Sequence, residues 1–144
     1  MNSEIRDATE ADLNAIKGDL LFEWNKSYPI EHIAGWAKSL FIDGNLVAIG
    51  GVYLIHQGLG QAWLILGSKA AEHKIEIVRI VRRMIDLAFK ELGIWRLEAT
   101  ERADFSQTVK MAEHLGFHNE TPDGMKGFTE DRATAYLYAI VKED

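Results

Sequence analysis

The sequence predicts an α/β fold in which helices flank a mixed, mostly antiparallel sheet. Asp43-Gly44-Asn45 separates two runs of strand-forming residues, which predicts a hairpin because glycine accepts a positive φ. From about Glu72 to Leu92 apolar residues recur at helical spacing, and a strand-like run lies on each side of this helix. A strand–helix–strand unit implies one parallel pair with a right-handed crossover.

The chain opens with a strand followed by helices. Ile5–Ala8 is a strand candidate, and Thr9 with Asp12 forms a capping-box pattern that opens a helix ending near residue 20. A second helical region is predicted over Leu21–Ser39, divided into two short helices at its proline. Trp24 and Trp36 lie in this region, and with Trp63 and Trp95 they are expected to pack in the core or line a pocket.

The rest of the chain alternates strands and helices. The predicted strands are Leu40–Ile42, Leu46–Ile55, Ala62–Leu66, Ile94–Thr100, a run from Phe117, and Thr134–Val141. Gly93 is expected to end the long helix, and Asp104 is the predicted N-cap of a helix that runs to about Leu115. Nothing in the sequence resembles a linker, so one domain over residues 1–144 is expected.

Composition excludes several classes of protein. The net charge of -6 disfavours a protein that grips nucleic acid through its overall field, although twelve of the sixteen Lys and Arg residues follow position 60. With no cysteine there is neither a disulfide nor a thiol nucleophile, and a cytoplasmic location is expected. Apolar runs are too short to span a bilayer. Gly116 separates His114 from His118, so no metal site is predicted.

Three segments carry a resemblance to a known family. They are Arg96-Leu97-Glu98-Ala99-Thr100, Ala103-Asp104-Phe105-Ser106 and His114-Leu115-Gly116-Phe117. These segments, together with the order of strands and helices over nearly all of the chain, resemble those of the GNAT N-acetyltransferases. The stretch Gly124-Met125-Lys126-Gly127-Phe128 also resembles the tail of short GNAT-like proteins of tailed bacteriophages.

The resemblance implies an N-acyltransferase that uses acetyl-CoA. The acceptor would be an amine on a small molecule, a peptide or a protein, and the protein would be a monomer or a homodimer. The pantetheine would dock between the strand ending near Leu66 and the strand beginning at Ile94, with the diphosphate over the start of the long helix. The implied cofactor-binding residues are Leu64, Leu66, Ser68, Lys69, Lys74, Arg79, Arg82 and Phe105.

This sequence departs from the family at the phosphate site. Lys74, Glu76 and Val78 lie near positions where the family has a Gln or Arg followed by alternating glycines, so side-chain cations would replace backbone donors. The alternative for Arg79 and Arg82 is a solvated helix face, and Arg83 is expected to be solvated.

The catalytic candidates follow from the need to remove a proton from an ammonium group. His56, Glu98 and Glu101 are the candidate bases. Ala112 lies where the family often has a tyrosine that protonates the leaving thiolate, so the nearest hydroxyl is Ser106. The alternatives are an exposed turn for His56, a charge pair for the two glutamates and helix capping for Ser106.

Two other functions are compatible with the sequence. The departures at the phosphate site and at Ala112 fit a non-catalytic GNAT-like binding protein or a phage structural protein. A nucleic-acid-modifying acyltransferase would use the cations after position 60, but the net charge disfavours it.

Overall fold

The computed structural model describes residues 2–21 and 35–142. The strands are β1 Ser3–Asp7, β2 Trp36–Ile42, β3 Asn45–His56, β4 Leu59–Leu66, β5 Arg96–Arg102, β6 His118–Asn119 and β7 Ala135–Val141. The helices are α1 Glu10–Lys17, α2 Lys74–Leu92 and α3 Ser106–His114, and a 3-10 helix over Ser68–Glu72 precedes α2. None of the helices in the described residues is long and apolar enough to cross a membrane.

The seven strands form a mixed sheet in the order β1-β2-β3-β4-β5-β7-β6. β4 and β5 pair in parallel, whereas β1–β2, β2–β3, β5–β7 and β6–β7 pair antiparallel. The predicted fold class is therefore confirmed, including the parallel pair on either side of the long helix. The chain divides into two compact units: unit 1 lies within Met1–Tyr53 and Ala62–Ile77, and unit 2 lies within Leu54–Gln61 and Val78–Asp144.

Unit 1 contains the amino-terminal strands and α1. Thr9 caps α1 through the predicted box, because its hydroxyl accepts from the backbone of Asp12 and the Asp12 carboxylate accepts from the backbone of Thr9. One hydrophobic cluster in the core of this unit contains Leu13, Ile16, Ala37, Ile49, Trp63 and Ile65. The Trp63 ring lies over Gly51, where an added Cβ would be 2.7 Å from that ring.

Unit 2 is built around β5. This strand makes three parallel pairs with β4, from Leu59↔Arg96 to Gln61↔Glu98, and seven antiparallel pairs with β7. On the α2 segment of this unit the predicted apolar face is buried and the arginines are exposed. Gly93 ends that helix at a φ of +66, as predicted.

Two local predictions are wrong. Trp36–Ser39 was expected to be helical but forms the first half of β2, where it pairs with β3 and alternates between buried and half-buried residues. In this strand Ser39 is completely buried and Lys38 forms an ion pair with Asp7. Contacts with residues distant in the chain therefore outweigh local propensity. The rest of the predicted helical region, including Trp24, lies outside the described residues.

The second error concerns the start of α3. Asp104 was predicted to be its N-cap, but Phe105 occupies that position and makes no side-chain capping bond. The Asp104 carboxylate instead accepts hydrogen bonds from the Arg102 guanidinium. Both carboxylate oxygens of Asp104 accept from Arg102 in this paired geometry, so the side chain is held by the guanidinium and not by the helix amides.

Candidate functional site

The loop between β4 and α2, residues 67–73, is the part of unit 1 where the sequence predicts phosphate binding. Two of its backbone donors are already used, since the Gly67 N–H donates to the Val47 carbonyl at 2.9 Å and the Ser68 N–H donates to the Asp19 carbonyl at 2.9 Å. The Leu66 carbonyl accepts from the Leu21 N–H at 2.9 Å. These amides and this carbonyl therefore contribute to folding of the loop itself.

The charge of the same loop is mixed. The Ser68 hydroxyl donates to the Asp19 carboxylate at 2.7 Å, which places a negative charge on a residue expected to contact phosphate. Lys69 and Lys74 are exposed, and neither has an ion-pair partner within residues 2–21 and 35–142. Any anion held here would be bound mainly through the two lysine side chains.

The remaining predicted cofactor residues have different surroundings. Leu64 is half-buried and Leu66 is buried in unit 1. In unit 2 Arg79 and Arg82 are exposed on α2, while the Arg102 guanidinium lies 4.8 Å from the centre of the Phe105 ring.

Glu101 lies near the end of β5 and has the most perturbed carboxyl group of the candidate bases. It follows Leu97 and Ala99 on one side of the strand, and both of those residues are buried. Burial raises the pKa of Glu101 from 4.5 to about 7, and a hydrogen bond with Thr108 limits the rise. A carboxyl group with a pKa near 7 is suited to accept a proton at neutral pH.

Thr108 is the neighbour of Glu101 that the sequence did not single out. Its side chain is buried one turn into α3, and its hydroxyl lies 3.1 Å from the Phe105 carbonyl. A threonine hydroxyl has one proton and two lone pairs, so it can donate to charged Glu101 or donate to Phe105 and accept from protonated Glu101. The hydroxyl therefore provides a partner for both protonation states.

Tyr138 is a second residue that the sequence analysis missed. It is completely buried on β7, and its hydroxyl donates to a Glu113 carboxylate oxygen at 3.3 Å. Burial, followed by the charge of Glu113, raises the pKa of Tyr138 to about 12. The alternation of Tyr136 and Tyr138 in the last strand was the available signal, since both rings lie on one side of β7 with centres 6.2 Å apart.

Glu98 and His56 form hydrogen bonds with other residues of unit 2. Arg96 donates to Glu98 at 2.7 Å and also binds Glu120, and these bonds raise the pKa of Arg96 further above its usual range. His56 is exposed, and its Nδ1 accepts from the Gly58 N–H at 3.1 Å.

His56, the last residue of β3, lies near the start of β5, whereas Glu101 lies near the end of β5. The His56 ring contacts Trp95, just before the strand begins, with ring centres 6.1 Å apart. Five residues separate Arg96 from Glu101, which is about 17 Å at the usual rise of a strand. The structure therefore does not bring these two candidates together. Ser106 is nearer to Glu101 in the chain and is the exposed first residue of α3.

Metal chemistry has no site in the described part of the chain. Among residues 2–21 and 35–142, no group of three or more His, Asp or Glu side chains could hold an ion. The two histidines near Gly116 form no part of such a cluster.

Comparison with solved structures identifies the fold. The chain is similar over its full length to Ard1 from Thermoplasma volcanium, with a TM-score of 0.81, 10% identity and 100% of both chains covered. It is also similar to an acetyltransferase of the GNAT family from Bacillus anthracis, with a TM-score of 0.76, 15% identity and coverage of 100% and 97%. A third similar structure is yncA from Salmonella typhimurium with its cofactor acetyl-CoA, at a TM-score of 0.74, 13% identity and coverage of 100% and 96%.

These similarities define the class of protein by its architecture. The chain has the GNAT acetyltransferase fold, and residues 2–21 and 35–142 form a mixed seven-stranded sheet with a parallel β4–β5 pair and three helices. No family model matches the sequence, and no curated protein matches it.

Proposed function

We propose that the protein is an N-acyltransferase that moves an acetyl group from acetyl-CoA to an amine. The observation that carries the proposal is Glu101, a half-buried carboxyl with a pKa of about 7 at the end of β5 in a GNAT fold. An ammonium group must lose a proton before it can attack a thioester, and a base with a pKa near the working pH does this best. Similar structures with this fold include an acetyltransferase of the GNAT family and a protein bound to acetyl-CoA.

The residues of unit 1 fit a CoA diphosphate through charge more than through backbone donors. Lys69 and Lys74 are exposed at the start of α2, where the helix dipole also favours an anion. The Gly67 and Ser68 amides are already bonded, so the lysines would hold the phosphates. We therefore expect the CoA diphosphate to bind more weakly here than it would to a glycine-rich loop.

In unit 2, β5 supports docking of an extended ligand. Its pairing with β4 stops at Glu98, and on that side the backbone of Ala99–Arg102 has no strand partner within the described residues of unit 2. Free backbone groups on a strand edge can bond an amide-containing chain such as pantetheine. Glu101 is one of the residues of this edge.

The protein would supply a base and a hydroxyl donor for the reaction. When bound, acetyl-CoA supplies a thioester with an electrophilic carbonyl carbon. Glu101 takes a proton from the acceptor ammonium, and the free amine becomes the nucleophile. Overall a C–N bond forms, the C–S bond breaks, sulfur leaves as the thiol and one proton is released. Ser106 is the hydroxyl proposed to donate to the leaving sulfur.

Release of free thiol from acetyl-CoA in the presence of peptide and polyamine mixtures tests this function. The chain has no cysteine, so every thiol detected comes from CoA. Wild-type protein should release thiol only when an amine is present, and Glu101→Gln should lower kcat more than it changes KM. Absence of amine-dependent release, together with no acetyl-CoA binding up to millimolar concentration by calorimetry, would sink the proposal.

A non-catalytic GNAT-like binding protein is the second candidate. It is favoured by the internal bonding of the Gly67 and Ser68 amides, by the Asp19 carboxylate on Ser68 and by the lack of a hydroxyl at Ala112. The same thiol assay separates the two candidates, because amine-dependent turnover would eliminate this one.

A further inference from the structure

The outward face of α2 in unit 2 carries a cluster of cations. We define the basic face as Arg79, Arg82, Arg83, Leu87 and Lys90. Arg82 and Arg83 each follow Arg79 by about one turn, and Leu87 and Lys90 continue the row from Arg83, so all five lie on one side of the helix. All five are exposed, Leu87 to 39%. The face spans about three helical turns, roughly 16 Å.

The arginines of the basic face differ from Arg6, Arg96 and Arg102, which form ion pairs. Arg96 and Arg102 each bind two carboxylates, and Arg6 lies 3.5 Å from Asp12. By contrast, within residues 2–21 and 35–142 no hydrogen bond or ion pair engages Arg79, Arg82 or Arg83. The only carboxylate among the cations of this face is Asp86, which lies 3.8 Å from Lys142. An otherwise acidic chain thus leaves several guanidinium groups available along one helix.

We propose that the basic face is a docking surface for an acidic polypeptide segment. Guanidinium groups bind carboxylates through two parallel hydrogen bonds, and glutamates one turn apart on a partner helix would match their spacing. Leu87 supplies an apolar contact within the cluster. An apolar contact at Leu87 suits a polypeptide, which carries apolar side chains beside its carboxylates, better than a nucleic-acid backbone, and a single leucine is too small an anchor for a membrane.

Binding of a labelled peptide tests the proposal directly. The probe is a helical peptide of about 15 residues with glutamates one turn apart and interspersed leucines, measured by fluorescence anisotropy at low salt. The variant R79Q/R82Q/R83Q should bind it about ten-fold or more weakly. The control K110Q/K126Q/R132Q removes three positive charges from exposed positions elsewhere in unit 2 and should retain the wild-type affinity.

The proposal is overturned if the wild type does not bind the peptide or if both triple variants lose the same affinity. It is also overturned if a single-stranded oligonucleotide binds more tightly than the peptide. A loss of acetyl-CoA affinity in R79Q/R82Q/R83Q with unchanged peptide affinity would also overturn it, because the arginines would then bind the cofactor's phosphates. If the wild type binds the peptide but not acetyl-CoA, the proposed acetyl transfer fails and the docking surface stands.

Discussion

Replacing Glu101 with glutamine removes a buried charge that lowers the free energy of unfolding. The pKa of this group is 4.5 when exposed and about 7 in the folded protein. Between these values the folded protein keeps a proton that the unfolded chain has released, so the contribution of Glu101 to stability falls as the pH rises from 4.5 to 7. Above pH 7 the carboxylate is charged in both states and the full penalty remains. Glutamine keeps a partner for Thr108 but cannot ionise.

The magnitude follows from the pKa difference. One pKa unit corresponds to about 1.4 kcal/mol, so Glu101→Gln should stabilise the protein by about 3 to 4 kcal/mol at pH 8. The gain should shrink to nearly zero at a pH of about 4.5. Urea unfolding followed by tryptophan fluorescence measures this difference, because the chain has four tryptophans.

Glu120→Gln serves as a control of opposite sign. Arg96 lowers the pKa of Glu120, so its loss should destabilise the protein at neutral pH and have little effect in acid. The reasoning about Glu101 is refuted if Glu101→Gln is no more stable than the wild type at pH 8, or if the difference is the same at both pH values.

Three further outcomes can be measured. The value of kcat/KM for acetyl transfer should rise about ten-fold per pH unit below pH 7 and level off above it, and this step should disappear in Glu101→Gln; a profile unchanged by the substitution would exclude Glu101 as the base. Tyr138→Phe should cost about 0.5 to 1.5 kcal/mol in urea unfolding by removing the bond to Glu113, and a neutral effect would mean that this bond is not formed. Gly51→Ala should cost about 1 to 3 kcal/mol, because its Cβ would lie 2.5 Å from the Trp36 carbonyl oxygen and 2.7 Å from the Trp63 ring; wild-type stability would show that both neighbours move aside.

Local sequence signals predicted much of the fold. The Thr9 capping box and the hairpin at Gly44 were predicted because their residues interact within a few positions of one another. The parallel β4–β5 pair followed from the long periodic helix between two apolar runs.

Features that depend on distant residues could not be predicted in this way. Trp36–Ser39 is a strand because it pairs with β1 and β3, and neither this pairing nor the ion pair of Lys38 is visible in local propensity. Glu101 was a candidate base from its position, but its raised pKa depends on burial that the sequence does not show. Thr108 and Tyr138 were missed for the same reason.

The position of β7 has a consequence for synthesis of the protein on the ribosome. Although β7 follows β5 by more than thirty residues in the chain, it lies between β5 and β6 and contains the completely buried Tyr138. At about 5–20 residues per second, the sheet of unit 2 waits roughly 2–8 s after Arg102 is made before Val141 has been added. During this interval the edge of β5 that later pairs with β7 has unpaired backbone groups, so a nascent chain stalled before β7 is the form most exposed to proteases and aggregation.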